Sequence, residues 1–135
     1  MRPFPLKIVT PDGVQFEGQA EALTVRTTTG DIGILAGHTN LVAPLGQGQC
    51  AIMLDGKRRY AACIGGMLCV MDGNVTLIPT TFEWAENIDA ERVERSFARA
   101  QSVLSNKDAS DTDVALAEAR LKRALVRRSV ASTKS

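Results

Sequence analysis

Residues Gly30 to His38 read GDIGILAGH, with three glycines, one carboxylate and the only histidine of the chain within nine positions. A glycine loop that cradles phosphate needs the spacing G-x-G-x-x-G, or G-x-x-x-x-G-K-S/T, at the start of a helix whose amides face the anion. The spacing here is G-x-x-G-x-x-x-G, and no helical pattern follows, so neither phosphate motif is present. His38 as a general base would need a nucleophile in reach. No serine precedes Ser96, and Cys50, Cys63 and Cys69 lie in apolar, strand-like runs that keep thiols protonated. Those cysteines have neither CxxC spacing nor enough histidine to complete a zinc site, and they are expected as reduced, buried side chains. Glu83 and Glu86 lack a partner cluster and read as a solvated linker. Neither a catalytic residue nor a metal is expected. Gly30, Gly33 and Gly37 are expected to serve turns around a short buried strand, Ile32 to Leu35.

A second cluster is basic. Arg120, Arg123 and Arg127 recur at i, i+3 and i+7, beside Lys122 and Arg128. Guanidinium forks pair bidentately with carboxylate or phosphate, so the cluster is either a surface for an acidic partner or phosphate-bearing ligand, or a solvated helix face. No aromatic residues interleave with it, and the chain's net charge is only +1, so nucleic acid is not an expected partner.

The elements that must position these residues fall into two parts. From Pro5 to about Trp84 short β-type runs alternate with turn residues: KIVT, GVQFEG, EALTVRTT, CAIML and NVTLIP. Turn signals recur at the spacing of an all-β sandwich or barrel. Leu23, Val25 and Thr27 share one strand face, with Thr24 and Arg26 on the other, whereas both faces of NVTLIP are expected to be partly buried. LDGK and MDGN are Asp-Gly hairpin turns. Near Ile88 the period changes. Val93, Phe97, Ala100 and Leu104 form one helical stripe behind an N-cap at Asp89. Val114, Ala117, Leu121, Ala124 and Leu125 form a second, and Ser110 and Asp113 have capping-box spacing. The reading is mainly β plus α, with domains at 1–86 and 87–135.

The hairpin stripes are short and rich in alanine. At about 25 cal/mol per Å², their mutual burial contributes only a few kcal/mol before ordering entropy. No glycine follows Gly73 and no proline follows Pro79, so both helices are uninterrupted. The basic charge is also in this part: residues 1–88 carry 6 basic and 8 acidic side chains, and residues 89–135 carry 10 basic and 7 acidic. The 135 residues suit one ordinary domain, or a small domain plus an appendage. No apolar run approaches the roughly 18 residues of a membrane span, and no secretory leader is evident, so a soluble cytosolic or stromal-type chain is expected.

Taken in order, TTTGDIGILAGHTNLVAPL (27–45), IGGMLCVMDGNVTLIP (64–79), AENID (85–89) and LKRAL (121–125) resemble the epsilon subunit of bacterial and chloroplast rotary ATP synthases. The likeness spans nearly the whole chain. It implies a ten-stranded β-sandwich followed by a two-helix antiparallel hairpin, in a non-catalytic subunit of the central rotor stalk. Localisation would be peripheral, on the cytoplasmic face of the bacterial inner membrane or the stromal face of a thylakoid.

The resemblance further implies that the sandwich binds the gamma subunit on its side and rests one end on the c-ring, with Thr29, Asp31 and His38 as the ring contacts by position. The helices would either fold onto the sandwich or extend beside gamma and block hydrolysis. Arg120, Lys122, Arg123, Arg127 and Arg128 would then meet an acidic segment of the catalytic alpha/beta subunits. Some relatives bind ATP as a regulatory ligand through an I-D-x-x-R-A motif. Here Ile88, Asp89, Arg92, Arg123 and Arg127 are the implied set, with Val93 in place of the motif's alanine. Asn40 stands where proline is usual, and Met67 where phenylalanine is frequent in a core strand. The alternative reading is a stand-alone ATP-sensing protein that uses the hairpin.

Overall fold

The computed structural model describes residues 2–133. Its contacts separate one unit ending at Trp84 from another beginning at Ala85. The first unit contains β1 (Phe4–Thr10), β2 (Gly13–Ala20), β3 (Ala22–Thr27), β4 (Gly30–Ile34), β5 (Leu41–Pro44), β6 (Gln47–Leu54), β7 (Lys57–Met71) and β8 (Asn74–Trp84). The second has a 3₁₀ turn at Ala85–Asn87, then α1 (Ala90–Ser105) and α2 (Asp111–Ala131).

Hydrogen bonding runs β2-β1-β8-β7-β6-β3-β4, with β5 added to β7. The two long strands each serve two layers. β7 pairs with β6 up to Ile64 and with β5 from Met67 onward. Between those stretches lie Gly65 and Gly66, at φ +68° and +100°. A Cβ on Gly66 would lie 2.0 Å from the Ile78 carbonyl oxygen, so only glycine fits this bend. β8 follows β7 through the same bend, pairing its Thr81–Trp84 stretch with Ala61–Ile64 and its Asn74–Pro79 stretch with Gly66–Met71. Ten strands were expected and eight are found. The difference is this bend: β7 and β8, each divided there, supply the two further segments of a ten-segment sandwich.

The inward rows follow from the register. Leu6 and Ile8 pair with Val75 and Leu77 across β1–β8, and Val75 and Leu77 pair with Val70 and Leu68 across β8–β7. Leu23, Val25, Ile34, Cys50 and Ile52 line the other layer, and all of these belong to one buried cluster. Leu23, Val25 and Thr27 do share the buried face. Both Asp-Gly turns form with positive φ at each turn residue, at Asp55–Gly56 and Asp72–Gly73.

Several expectations are corrected. Ile32 to Leu35 is not a buried strand: β4 ends at Ile34, and Leu35 is 56% exposed in the following turn. Gly33 serves no turn, since it pairs with Thr24 in mid-strand with open space above its Cα. Of the two faces of NVTLIP, that of Val75 and Leu77 is buried, while on the other Thr76 is half-buried and Ile78 points outward. Met67 is likewise on the outer face rather than in the core, and Cys69 is only half-buried. Glu83 lies within β8, opposite Ala62, rather than in a linker.

In the helical unit, the Asp89 side chain caps α1 by accepting the Arg92 amide, and Ser110 and Asp113 form the reciprocal capping box of α2. The buried residues are Val93 and Ala100 on α1, and Ala117, Ala124 and Val130 on α2. Leu125 does not join them, being 45% exposed.

Candidate functional site

Two candidate regions lie at opposite ends of the sandwich. The first is built on the β3–β4 hairpin, whose two-residue turn Thr28–Thr29 brings Thr27 opposite Gly30 and Arg26 opposite Asp31. The Thr27 hydroxyl donates to the Gly30 carbonyl at 2.6 Å and accepts the Thr29 amide at 3.3 Å, so one buried side chain shapes the turn. Arg26 Nε donates to Asp31 Oδ1, and both side chains remain about half exposed. The hydrogen bond and then the charge of Asp31 raise the guanidinium's already high pKa. The Arg26 stem lies over Gly48, where an added Cβ would approach within 2.8 Å of it.

Backbone bonds join this hairpin to the bend. Thr28 N donates to Pro44 O at 3.1 Å, Leu45 N to Gly66 O at 2.8 Å, and Gly65 N to Gly46 O at 2.9 Å. Thr29 and Asp31 therefore sit at the end of the sandwich where β7 and β8 fold over.

His38 does not. Its amide donates to Leu35 O at 3.2 Å, past the far end of β4, and its Nδ1 lies 2.7 Å from Thr39 O. Two residues on, the Asn40 side chain accepts the Asp72 amide at 2.9 Å, tying this loop to the β7–β8 turn. Gly66 to Met71 is about 17 Å of strand at roughly 3.3 Å per residue, and that separates the two ends. The structure brings Thr29 and Asp31 together and leaves His38 at the opposite end. The Asn40 side chain thus makes a bond that the proline expected at this position has no side-chain acceptor to make.

Between these ends the outer face of one layer is apolar. Met67 pairs with Ile78 across β7–β8 and with Pro44 across β5–β7, and Val42 pairs with Cys69. Val42, Met67, Met71 and Ile78 are 39–58% exposed. Cys50 and Cys63 are inside instead. Burial, and for Cys50 the neighbouring Cys63, pushes both thiols up, Cys63 to about 12, so neither is a nucleophile at neutral pH.

The helical unit divides the five basic residues of α2. At about 100° per residue, Arg120, Arg123 and Arg127 share a face, Lys122 points well away from it, and Arg128 turns toward α1. Arg128 donates from Nε and Nη2 to the two carboxylate oxygens of Glu94, at 2.8 and 3.0 Å, with its guanidinium 3.8 Å above the Phe97 ring. Arg120 lines a groove of about 400 Å³ at the α1–α2 turn with Asp108, Asp113 and Leu116. Of the implied ATP set, Ile88 is buried, the Asp89 carboxylate is occupied as a cap, and Arg92 is exposed at the start of α1. Arg123 and Arg127 are half-buried on α2. Val93 is buried in the first turn of α1. Among the described residues, no three His, Cys, Asp or Glu side chains form a metal-binding group, and no helix is long and apolar enough to cross a membrane.

Sequence reasoning missed Arg26, Thr27 and Glu94. The first two had a signal, because a two-residue turn at 28–29 fixes 26 opposite 31. Glu94 had none, since its partner lies 34 residues away.

Comparison with known proteins places two family matches end to end. Residues 3–85 match the beta-sandwich domain of the ATP synthase delta/epsilon chain, and residues 86–132 match its long alpha-helix domain. The ATP synthase epsilon chain of Ruminococcus albus is 43% identical, covering 99% of this chain and 100% of that one. That of Bacillus velezensis is 42% identical, covering 97% and 98%. A chain of the Euglena gracilis mitochondrial ATP synthase, from a cryo-EM structure of OSCP/F1/c-ring, superposes with a TM-score of 0.78 at 25% identity over 89% of this chain and 76% of that one. A chain from the central stalk/c-ring of the Tetrahymena thermophila mitochondrial enzyme gives 0.61 at 12% identity, covering 94% and 95%, and supports the fold alone.

Proposed function

The chain belongs to the ATP synthase delta/epsilon chain family, and we propose that it serves in the synthase's central rotor stalk as a non-catalytic subunit joining gamma to the c-ring. The carrying observation is the outer apolar face of Val42, Met67, Met71 and Ile78, too contiguous for an ordinary solvated sheet. Gamma is its proposed occupant. The end bearing Thr29 and Asp31 is the proposed ring contact, and His38, at the opposite end, is left out of it. The complex is membrane-associated, with this subunit on its cytoplasmic side.

The helical unit is the proposed regulator. Its buried seam is mostly alanine and valine, so its two helices are held by a modest free energy that a partner's differential affinity can overcome. When the helices extend, the Arg120, Arg123 and Arg127 face meets acidic segments of the catalytic alpha/beta subunits. ATP is the proposed regulatory ligand of Arg92, Arg123 and Arg127.

A tagged chain should capture gamma, and Val42→Asp with Ile78→Asp should lose it while the sandwich stays folded. Capture that survives both substitutions would rule out this face. ATPase activity of the complex should rise when the chain is truncated after Asn87, and equal rates would remove the regulatory role alone.

A further inference from the structure

Arg128 on α2 and Glu94 on α1 form a polar contact across the helical seam. It uses one full edge of the guanidinium, Nε and Nη2, on both carboxylate oxygens, while Phe97 takes the guanidinium's face. Fork-to-fork geometry makes this the strongest form of such a pair, yet the side chains are 40% and 58% exposed, so a foreign carboxylate can reach the same edge. Small buried side chains such as Ala100, Ala117 and Ala124 add dispersion contacts to the seam.

We infer that Glu94 is an internal stand-in for the carboxylates of an acidic partner: it holds the Arg128 edge that such a partner would take, and exchange of one carboxylate for the other opens the seam. The inference rests on the reading that α2 meets an acidic protein segment. Arg120 is exposed about two turns before Arg128, so it can attract the partner while the seam is closed. Arg128 becomes available only when α1 releases it. Releasing it also strips the cation from Phe97, so the exchange loosens α1 as well as α2.

The test uses the full chain at low salt, with poly-L-glutamate as the probe and amide hydrogen exchange in α1 and α2 as the second readout. Glu94→Gln keeps the shape and removes the charge. It should bind the probe up to about five-fold more tightly, the range of an exposed ion pair, and speed exchange of seam amides such as Ala100 and Ala124. Arg128→Lys keeps the charge without the fork, and should speed exchange while weakening the probe.

Glu91→Gln is the charge-matched control, since Glu91 is 91% exposed and lies 4.0 Å from Arg95 on the same helix. It should change neither readout. Equal tightening by Glu91→Gln and Glu94→Gln, or unchanged seam exchange in Glu94→Gln, overturns the inference and leaves the stalk role standing. If ATPase activity is indifferent to truncation after Asn87, the regulatory reading fails instead, whatever the probe does.

Discussion

Arg26 and Asp31 face each other across the β3–β4 hairpin, guanidinium bonded to carboxylate, on the sandwich end proposed to meet the c-ring. Any test of Asp31 is therefore also a test of a pair. Because both partners are half exposed, water screens the interaction and its loss should leave thermal stability near wild type. Asp31→Lys sets two cations opposite each other and should lower coupled ATP synthesis at an unchanged Tm. The swap of Arg26→Asp with Asp31→Arg separates two causes. Recovery means the pair matters, and continued loss means the sign presented to the ring matters. A fully coupled Asp31→Lys enzyme would remove the end from the ring contact.

Gly66→Ala should be among the most damaging single changes in the sandwich, roughly 3 kcal/mol or more, because its Cβ would lie 2.0 Å from a backbone oxygen in a left-handed conformation. Gly33→Ala is the counterpart. With open space at a mid-strand position, it should be neutral or stabilise by about 0.5–1 kcal/mol. Urea unfolding followed by the fluorescence of Trp84, the only tryptophan, measures both.

The buried thiols predict a pH window. Unfolded cysteines lose protons from about pH 8.5, whereas Cys63 in the folded chain holds its proton up to about 12. Across that interval the unfolded state binds fewer protons, so stability falls as pH rises, by about 1.4 kcal/mol per pH unit for each such thiol. Below pH 8.5 the contribution is complete. Urea midpoints at pH 7, 9 and 10 should show the decline, and Cys63→Ala should make it shallower, leaving the share of Cys50. In the native state a thiol reagent should modify half-buried Cys69 before Cys50 or Cys63.

Asn40→Ala should cost about 0.5–1 kcal/mol, the worth of one hydrogen bond at an exposed loop, and should increase amide exchange at Asp72. Asn40→Pro, which also lacks the acceptor, should raise that exchange as well. Protection at Asp72 that is unchanged in both variants would show that the bond is not formed in solution.

Much of this architecture was legible because its signals are local. Asp-Gly turns, the change of period near Ile88, the cap at Asp89 and the Ser110–Asp113 box depend on residues within one turn of each other. The alternating face of Leu23, Val25 and Thr27 is equally local. Illegible features depend on tertiary placement. Ile78 and Met67 look like core residues in sequence, and only the layer geometry puts them outside, on the face proposed to meet gamma. His38 stands close to Asp31 in the chain, yet an intervening strand carries it to the other end. Leu125 fits a helical stripe, but the seam is narrow enough for alanines to fill it.

The bend at Gly65 and Gly66 also has a mechanical consequence. In a sandwich of separate sheets, a sideways load is resisted only by the interlocking of side chains between layers. Here two adjacent strands run unbroken from one layer into the other, so sliding the layers would have to tear the β7–β8 ladder along its length. For a part that passes twisting force from one rotor component to another, that continuity makes the sandwich a stiff coupling rather than a pair of slipping plates.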